Sequence, residues 1–200
     1  MTERFNEVAG EWDKGNIRQE IAASVFHTIV SRISLLPSMN IMDFGAGTGL
    51  LSFKIAPMVK SVMGIDLSAG MLEQLESKNL PSLQVKTLCQ DIVQTPYEEK
   101  FNGIVSSMAM HHVEDTARLF ETFHAHLERD GFIAIADLEE EDGTFHAQHG
   151  NDGVHHFGFN RDVLRDTIEK AGFRNVRFHD AYSVNREDGS YPIFLVTAKK

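Results

Sequence analysis

Three glycines at alternate positions, Gly45, Gly47 and Gly49, interrupt an apolar run, IMDFGAGTGL over residues 41–50. Glycines this close weaken any regular element, so the pattern points to a close approach to the backbone. Two ligand chemistries compete for it. A dinucleotide site uses G-x-G-x-x-G, with a pyrophosphate on the N-terminus of the next helix. Here Leu50 occupies the last glycine position and Gly49 comes one residue early. A nucleotide-like ligand without a pyrophosphate needs only G-x-G-x-G. The second chemical feature is histidine, whose imidazole titrates near neutral pH. His111 and His112 are adjacent, and His146, His149, His155 and His156 crowd a glycine-rich stretch over 145–159.

The elements that must hold these residues follow from periodicity. Ile17, Ile21, Val25, Ile29 and Ile33 recur every fourth residue, which predicts an amphipathic helix over 17–36 closed by Pro37. NIMDF then reads as a buried strand ending at the glycines, and 48–56 as a helix ending at Pro57. Further strands are predicted over 60–67, 82–91, 101–110 and 131–138. Helices are predicted from the N-cap Ser68, over 115–128 and over 161–171, the last with a C-terminal Gly172. Two long strands close the chain as a hairpin through NREDGS. Alternating strands and helices imply a parallel sheet covered on both faces. Ligands of such sheets bind beyond the carboxyl ends of the strands, where the glycines fall. The expected organisation is one domain over 1–200, with a helical cap (1–37) and an α/β, Rossmann-like, doubly wound core (38–200).

IMDFGAGTGLLS resembles the first motif of the class I S-adenosylmethionine-dependent methyltransferases, and VMGIDLS, CQDI and FNGIVSSMAMHHV resemble the later ones in order. The pattern is similar to the ubiquinone/biotin-type small-molecule group (methyltransferase types 11 and 12). The resemblance implies a seven-stranded, mostly parallel sheet of order 3-2-1-4-5-7-6 with the last strand antiparallel. It implies S-adenosylmethionine as cofactor and S-adenosylhomocysteine as product. It places Phe44, Gly45, Ala46, Gly47, Thr48 and Gly49 around the cofactor, with Asp43 orienting loop N–H groups or a water near its amino acid end. Asp66 would bind the ribose hydroxyls, since one carboxylate accepts both in a fork, with Leu67 and Met71 beside it. Asp91 would accept from the adenine amino group while Ile92 packs on the ring. Ser107 stands where relatives often have Asn and can still bond the cofactor, and Trp12 precedes the cap where relatives close an aromatic over it. Phe101 and Asn102 replace the usual aromatic–Asp pair that starts the fourth strand, and no N-P-P-Y-type motif is present.

Methyl transfer from a sulfonium is an in-line displacement catalysed mainly by positioning and desolvation. A base helps only if the acceptor loses a proton. His111 and His112 are the candidate catalytic or acceptor-orienting groups, and His146, His155 and His156 the candidate substrate contacts. Asp137 ends the predicted fifth strand on the same edge and could bind an acceptor, but DLEEED reads more simply as a solvated acidic turn, and Cys89 as a buried strand residue. The histidine spacing fits no closed zinc motif, so no metal site is assigned. Two rival functions stand beside methyl transfer: a non-catalytic binding module for cofactor or metal, and a nicotinamide-dependent oxidoreductase, which Leu50 disfavours.

The whole chain sets the remaining expectations. A net charge of −10 disfavours non-specific nucleic-acid binding. The single cysteine allows no internal disulfide, and neither a signal peptide nor a membrane span is expected, so the reading is cytoplasmic. A small-molecule acceptor is the expected partner, with no nucleic acid or membrane, for a monomer or homodimer.

Overall fold

The computed structural model describes residues 2–147, 150–187 and 189–200. Five strands, β1 (Asn40–Phe44), β2 (Ser61–Asp66), β3 (Val85–Cys89), β4 (Phe101–Ser107) and β5 (Leu127–Leu138), pair in parallel. The last two, β6 (Arg174–Arg186) and β7 (Gly189–Lys199), form a hairpin, and β7 pairs antiparallel with β5. The order is β3-β2-β1-β4-β5-β7-β6, as the resemblance implies. Successive strand residues feed different cores. Ile41, Val105, Ala134 and Ala136 join one buried cluster, while Met42, Ile104, Ile133 and Ile135 join the other. Both faces are therefore dry, which explains why these strands read as unbroken apolar runs.

Helices cover both faces. α1 (Thr2–Val8) and a 3₁₀ turn over Ala9–Lys14 lead into α2 (Asn16–Arg32). α2 buries Ile21, Ala22, Val25 and Ile29, but it stops before the predicted end because Ile33 turns extended, at φ −129°. Ile17, the first residue of the predicted stripe, is exposed. α3 is only Ser52–Ile55, shorter than the pattern implied. α4 (Ala69–Lys78) has the expected cap, Ser68 Oγ accepting from the Met71 N–H. α5 (Thr116–His126) starts at Asp115, whose side chain accepts from the Arg118 N–H. α6 (Arg161–Lys170) is followed by Gly172 at φ +98°.

Two expectations fail here. Cys89 is exposed rather than buried, because it ends β3 at the edge of the sheet. β4 stops at Ser107, three residues early, where Met108 adopts φ +59° and breaks the strand. A non-glycine residue in that region stores strain, and such residues cluster at functional sites. Among the described residues no helix is long and apolar enough to cross a membrane.

Candidate active site

A cavity of ≈ 710 Å³ opens at the carboxyl ends of β1, β2 and β4, the switch point of the sheet. The glycine loop forms one wall. Its three glycines have φ of +67°, +53° and +86°, values that L side chains rarely adopt. They are not equivalent. A Cβ on Gly45 would stand 2.3 Å from the Ala109 Cβ, and one on Gly49 would stand 2.8 Å from Leu75. Only on Gly47 would it meet nothing within 4 Å. Two of the three glycines thus make room for the protein itself. Gly49 does not line the cavity, contrary to expectation, whereas Gly45, Ala46, Gly47 and Thr48 do. The Thr48 hydroxyl is turned aside and donates to Asp13 Oδ1 at 2.5 Å. Asp13 also pairs with Lys78 on α4.

Asp66 anchors this loop. Its Oδ2 accepts from the Gly47 N–H and its Oδ1 from the Ser68 N–H, each at 2.8 Å. A carboxylate has about four lone-pair positions, so two remain for a ligand. Burial raises its pKa against these hydrogen bonds. Asp43 lies deeper, 1% exposed, and accepts from Ser52 Oγ at 2.5 Å. Burial lifts its carboxyl to about 7, with the Ser52 bond opposing and the Asp66 charge assisting. Leu67, Met71, Phe44 and Ser107 line the cavity as expected.

Asp91 also lines the cavity. Its Oδ1 accepts from the N–H groups of Val93 and Gln94, and its Oδ2 from the Gln94 side chain. Ile92 departs from expectation: it is fully buried in the core with Met42 and Ile65, and the neighbouring Val93 lines the cavity instead.

The cap closes the cavity from above. Asn6 Oδ1 accepts from Ser68 Oγ and the Gly70 N–H, which fixes α1 to the start of α4. Trp12 lines the cavity, with the Arg18 guanidinium 3.9 Å over its ring and Phe5 in an edge-to-face contact at 5.6 Å. Phe5 and Arg18 carry no periodic signal; only their contacts with Trp12 identify them.

At the other end the histidines converge. The His111, His112 and His146 rings lie with centroids 4.1 Å, 4.9 Å and 6.0 Å apart. His155 lines the cavity too. His156 does not: its Nε2 reaches the carbonyls of Val113 and Glu114, so it ties the loop to the start of α5. His149 lies outside the described residues. Asp137 overturns its expected place in a solvated turn. It is fully buried, and accepts from His111 Nδ1 at 2.7 Å, the His111 N–H at 3.1 Å and the Leu138 N–H at 2.8 Å. The acids after it are exposed or half-exposed, but Asp137 still belongs to the interior strand β5. Burial alone would raise its pKa; the His111 charge and these bonds outweigh it and hold the carboxyl below the usual range.

Residues 41–131 match the family described as a methyltransferase domain. Residues 41–131 carry a methyltransferase domain. This domain runs from β1 into β5 and holds the glycine loop, Asp66 and Asp91. The chain is 28% identical to an uncharacterised methyltransferase of Schizosaccharomyces pombe, over 68% of this chain and 54% of that one. It is also 28% identical to a malonyl-[acyl-carrier protein] O-methyltransferase of Geobacter sulfurreducens, over 96% and 79%. The chain thus spans about half the length of the first of these relatives. A phosphoethanolamine N-methyltransferase 2 of Haemonchus contortus, solved with S-adenosyl-L-methionine, shares the fold: TM-score 0.69, 17% identity, 88% of this chain and 52% of that one. S-adenosyl-L-methionine is the ligand of that neighbour. The residues present fit it. Gly47 leaves its side open, and Asp66 keeps two lone-pair positions free.

Proposed function

We propose that this protein transfers the methyl group of S-adenosylmethionine to a small-molecule acceptor and leaves S-adenosylhomocysteine. In this reading residues 1–37 are a helical cap on a single unit with 38–200. The observation that carries it is the Asp66 carboxylate, which ties the open Gly47 to the cavity wall and keeps two lone-pair positions free. When bound, the cofactor supplies a methyl group activated by the sulfonium charge. The protein's share is positioning and exclusion of water. Asp66 accepts the ribose hydroxyls, Asp91 the adenine amino group, and Trp12 covers the ligand. The two named relatives methylate, by their names, oxygen of a malonyl-[acyl-carrier protein] and nitrogen of phosphoethanolamine, so they leave the acceptor's element open.

Calorimetric titration with S-adenosylmethionine, S-adenosylhomocysteine and NAD tests this. The first two are expected to bind and NAD is not. NAD binding alone would restore the oxidoreductase reading, and no binding at all would favour a binding module for something else.

The same titration carries a proton signature. With a pKa of about 7, Asp43 is about half protonated at neutral pH. A cationic ligand in the cavity favours its carboxylate. Cofactor binding should therefore release up to roughly half a proton at neutral pH, and affinity should rise with pH across the Asp43 titration. Titrations in buffers of different ionisation enthalpy read the release directly, and Asp43→Asn should abolish it. A pH-independent affinity with no proton release would mean that Asp43 does not respond to the ligand.

A further inference from the structure

The histidine end of the cavity defines what can be methylated there. The Nδ1 of His112 lies 2.7 Å from the Gly153 carbonyl. A carbonyl only accepts, so Nδ1 carries the proton and Nε2 holds a bare lone pair. The ring faces the cavity and is fixed from both sides, by His111 at 4.1 Å and by the edge of Phe5 at 5.3 Å. Behind it, His111 donates Nδ1–H to Asp137, and among the described residues neither its buried Nε2 nor that of His146 has a hydrogen-bond partner. Among the described residues no group of three or more His, Cys, Asp or Glu is arranged to hold a metal ion. The Gly153 carbonyl fixes the tautomer of His112 and leaves its second nitrogen as an acceptor.

We infer that the acceptor is a neutral hydroxyl compound, oriented by donating its O–H to Nε2 of His112. The inference rests on the methyl-transfer reading above. At Nε2 of His112 a carboxylate would meet a bare lone pair instead of an N–H. An ammonium group meets the opposite obstacle, since this end of the cavity disfavours positive charge. Burial, then the neighbouring His111, pushes the His112 pKa down to about 4; burial, His111 and His112 push that of His146 to about 3. The charged groups facing the cluster are Asp137 from β5 and Arg4 from α1. Arg4 donates one N–H to the Gly150 carbonyl and Arg186 one to that of Phe145, which holds both guanidinium groups beside the cavity. In the reaction the hydroxyl oxygen gives an electron pair to the methyl carbon, and the carbon–sulfur bond breaks with its pair kept by sulfur. The hydroxyl proton passes to Nε2 of His112. A weak base suffices, because the proton leaves as positive charge develops on the oxygen.

Long-range proton–nitrogen NMR of the full chain, loaded with S-adenosylhomocysteine, tests the assignment. At neutral pH His112 is expected to show a protonated Nδ1 and a bare Nε2. Phenol should shift the Nε2 resonance, while benzoate and benzylamine should not. His112→Asn keeps a donor for Gly153 but lacks Nε2, and should weaken phenol binding about tenfold. Protonation at Nε2, phenol affinity unchanged in His112→Asn, failure of phenol to bind, or a preference for either charged probe would each overturn the inference. Failure of S-adenosylhomocysteine itself to bind would instead sink the methyl-transfer reading.

Discussion

Asp66→Ala should weaken S-adenosylmethionine binding by about two to three orders of magnitude and leave the chain folded. Hydrogen bonds to a charged group are worth about 1.5–3 kcal/mol each, and two vicinal hydroxyls on one carboxylate give about 3–4 kcal/mol, or roughly 10²–10³ in affinity. The fold should survive because the loop has a second tether. The N–H groups of Gly45 and Ala46 both donate to the Ile65 carbonyl, at 2.8 Å and 3.1 Å. Asp66→Asn separates the two duties of the carboxylate. Its remaining oxygen can still accept from one loop N–H, while the fork for the hydroxyls is gone, so its affinity should fall nearly as far. Calorimetry reads the affinity and circular dichroism the fold. Retained affinity in Asp66→Ala would remove this residue from the site.

Most of this wall was legible in the sequence, because strand ends and glycine spacing are local signals. The strands read correctly for one physical reason: both faces are buried, so no alternation obscures them. The purpose of the glycines was only partly legible. Spacing marks them as places of close approach, but Gly45 and Gly49 are approached by Ala109 and Leu75, which only the fold brings near. Ile92 and Val93 differ by one residue, and the turn after β3 decides which of them faces the cavity. The end of α2 escaped the pattern because Ile33 keeps the period of four but not the helical backbone. At the histidine end the signals were long-range. His111 and Asp137 lie 26 positions apart, and His112 meets the Gly153 carbonyl 41 positions on. The predicted strand includes Asp137, but the acids that follow it conceal its burial, which only the contact with His111 reveals.

That buried pair supports the other large effect. Asp137→Ala should destabilise the protein by about 3–5 kcal/mol, the usual cost of removing one member of a buried ion pair. Three donors lose their acceptor at once: His111 Nδ1–H, the His111 N–H and the Leu138 N–H. No water is at hand to replace it, because the two side chains are 1% and 0% exposed. For a chain of this size, about 2–4 °C per kcal/mol puts the fall in melting temperature at roughly 6–20 °C. Asp137→Asn preserves the volume and one acceptor oxygen and should lose less. The effect has a defined pH range. The folded pKa of Asp137 is held below its unfolded value, so its stabilisation is complete above the ordinary aspartate range and disappears as pH falls through the lowered folded value. Asp137→Ala should therefore be less stable than the parent at neutral pH, and the gap should narrow in strong acid. A melting temperature within about 2 °C of the parent at neutral pH would mean that His111 finds another partner. The orientation of His112 would then need a support other than the Asp137–His111 pair.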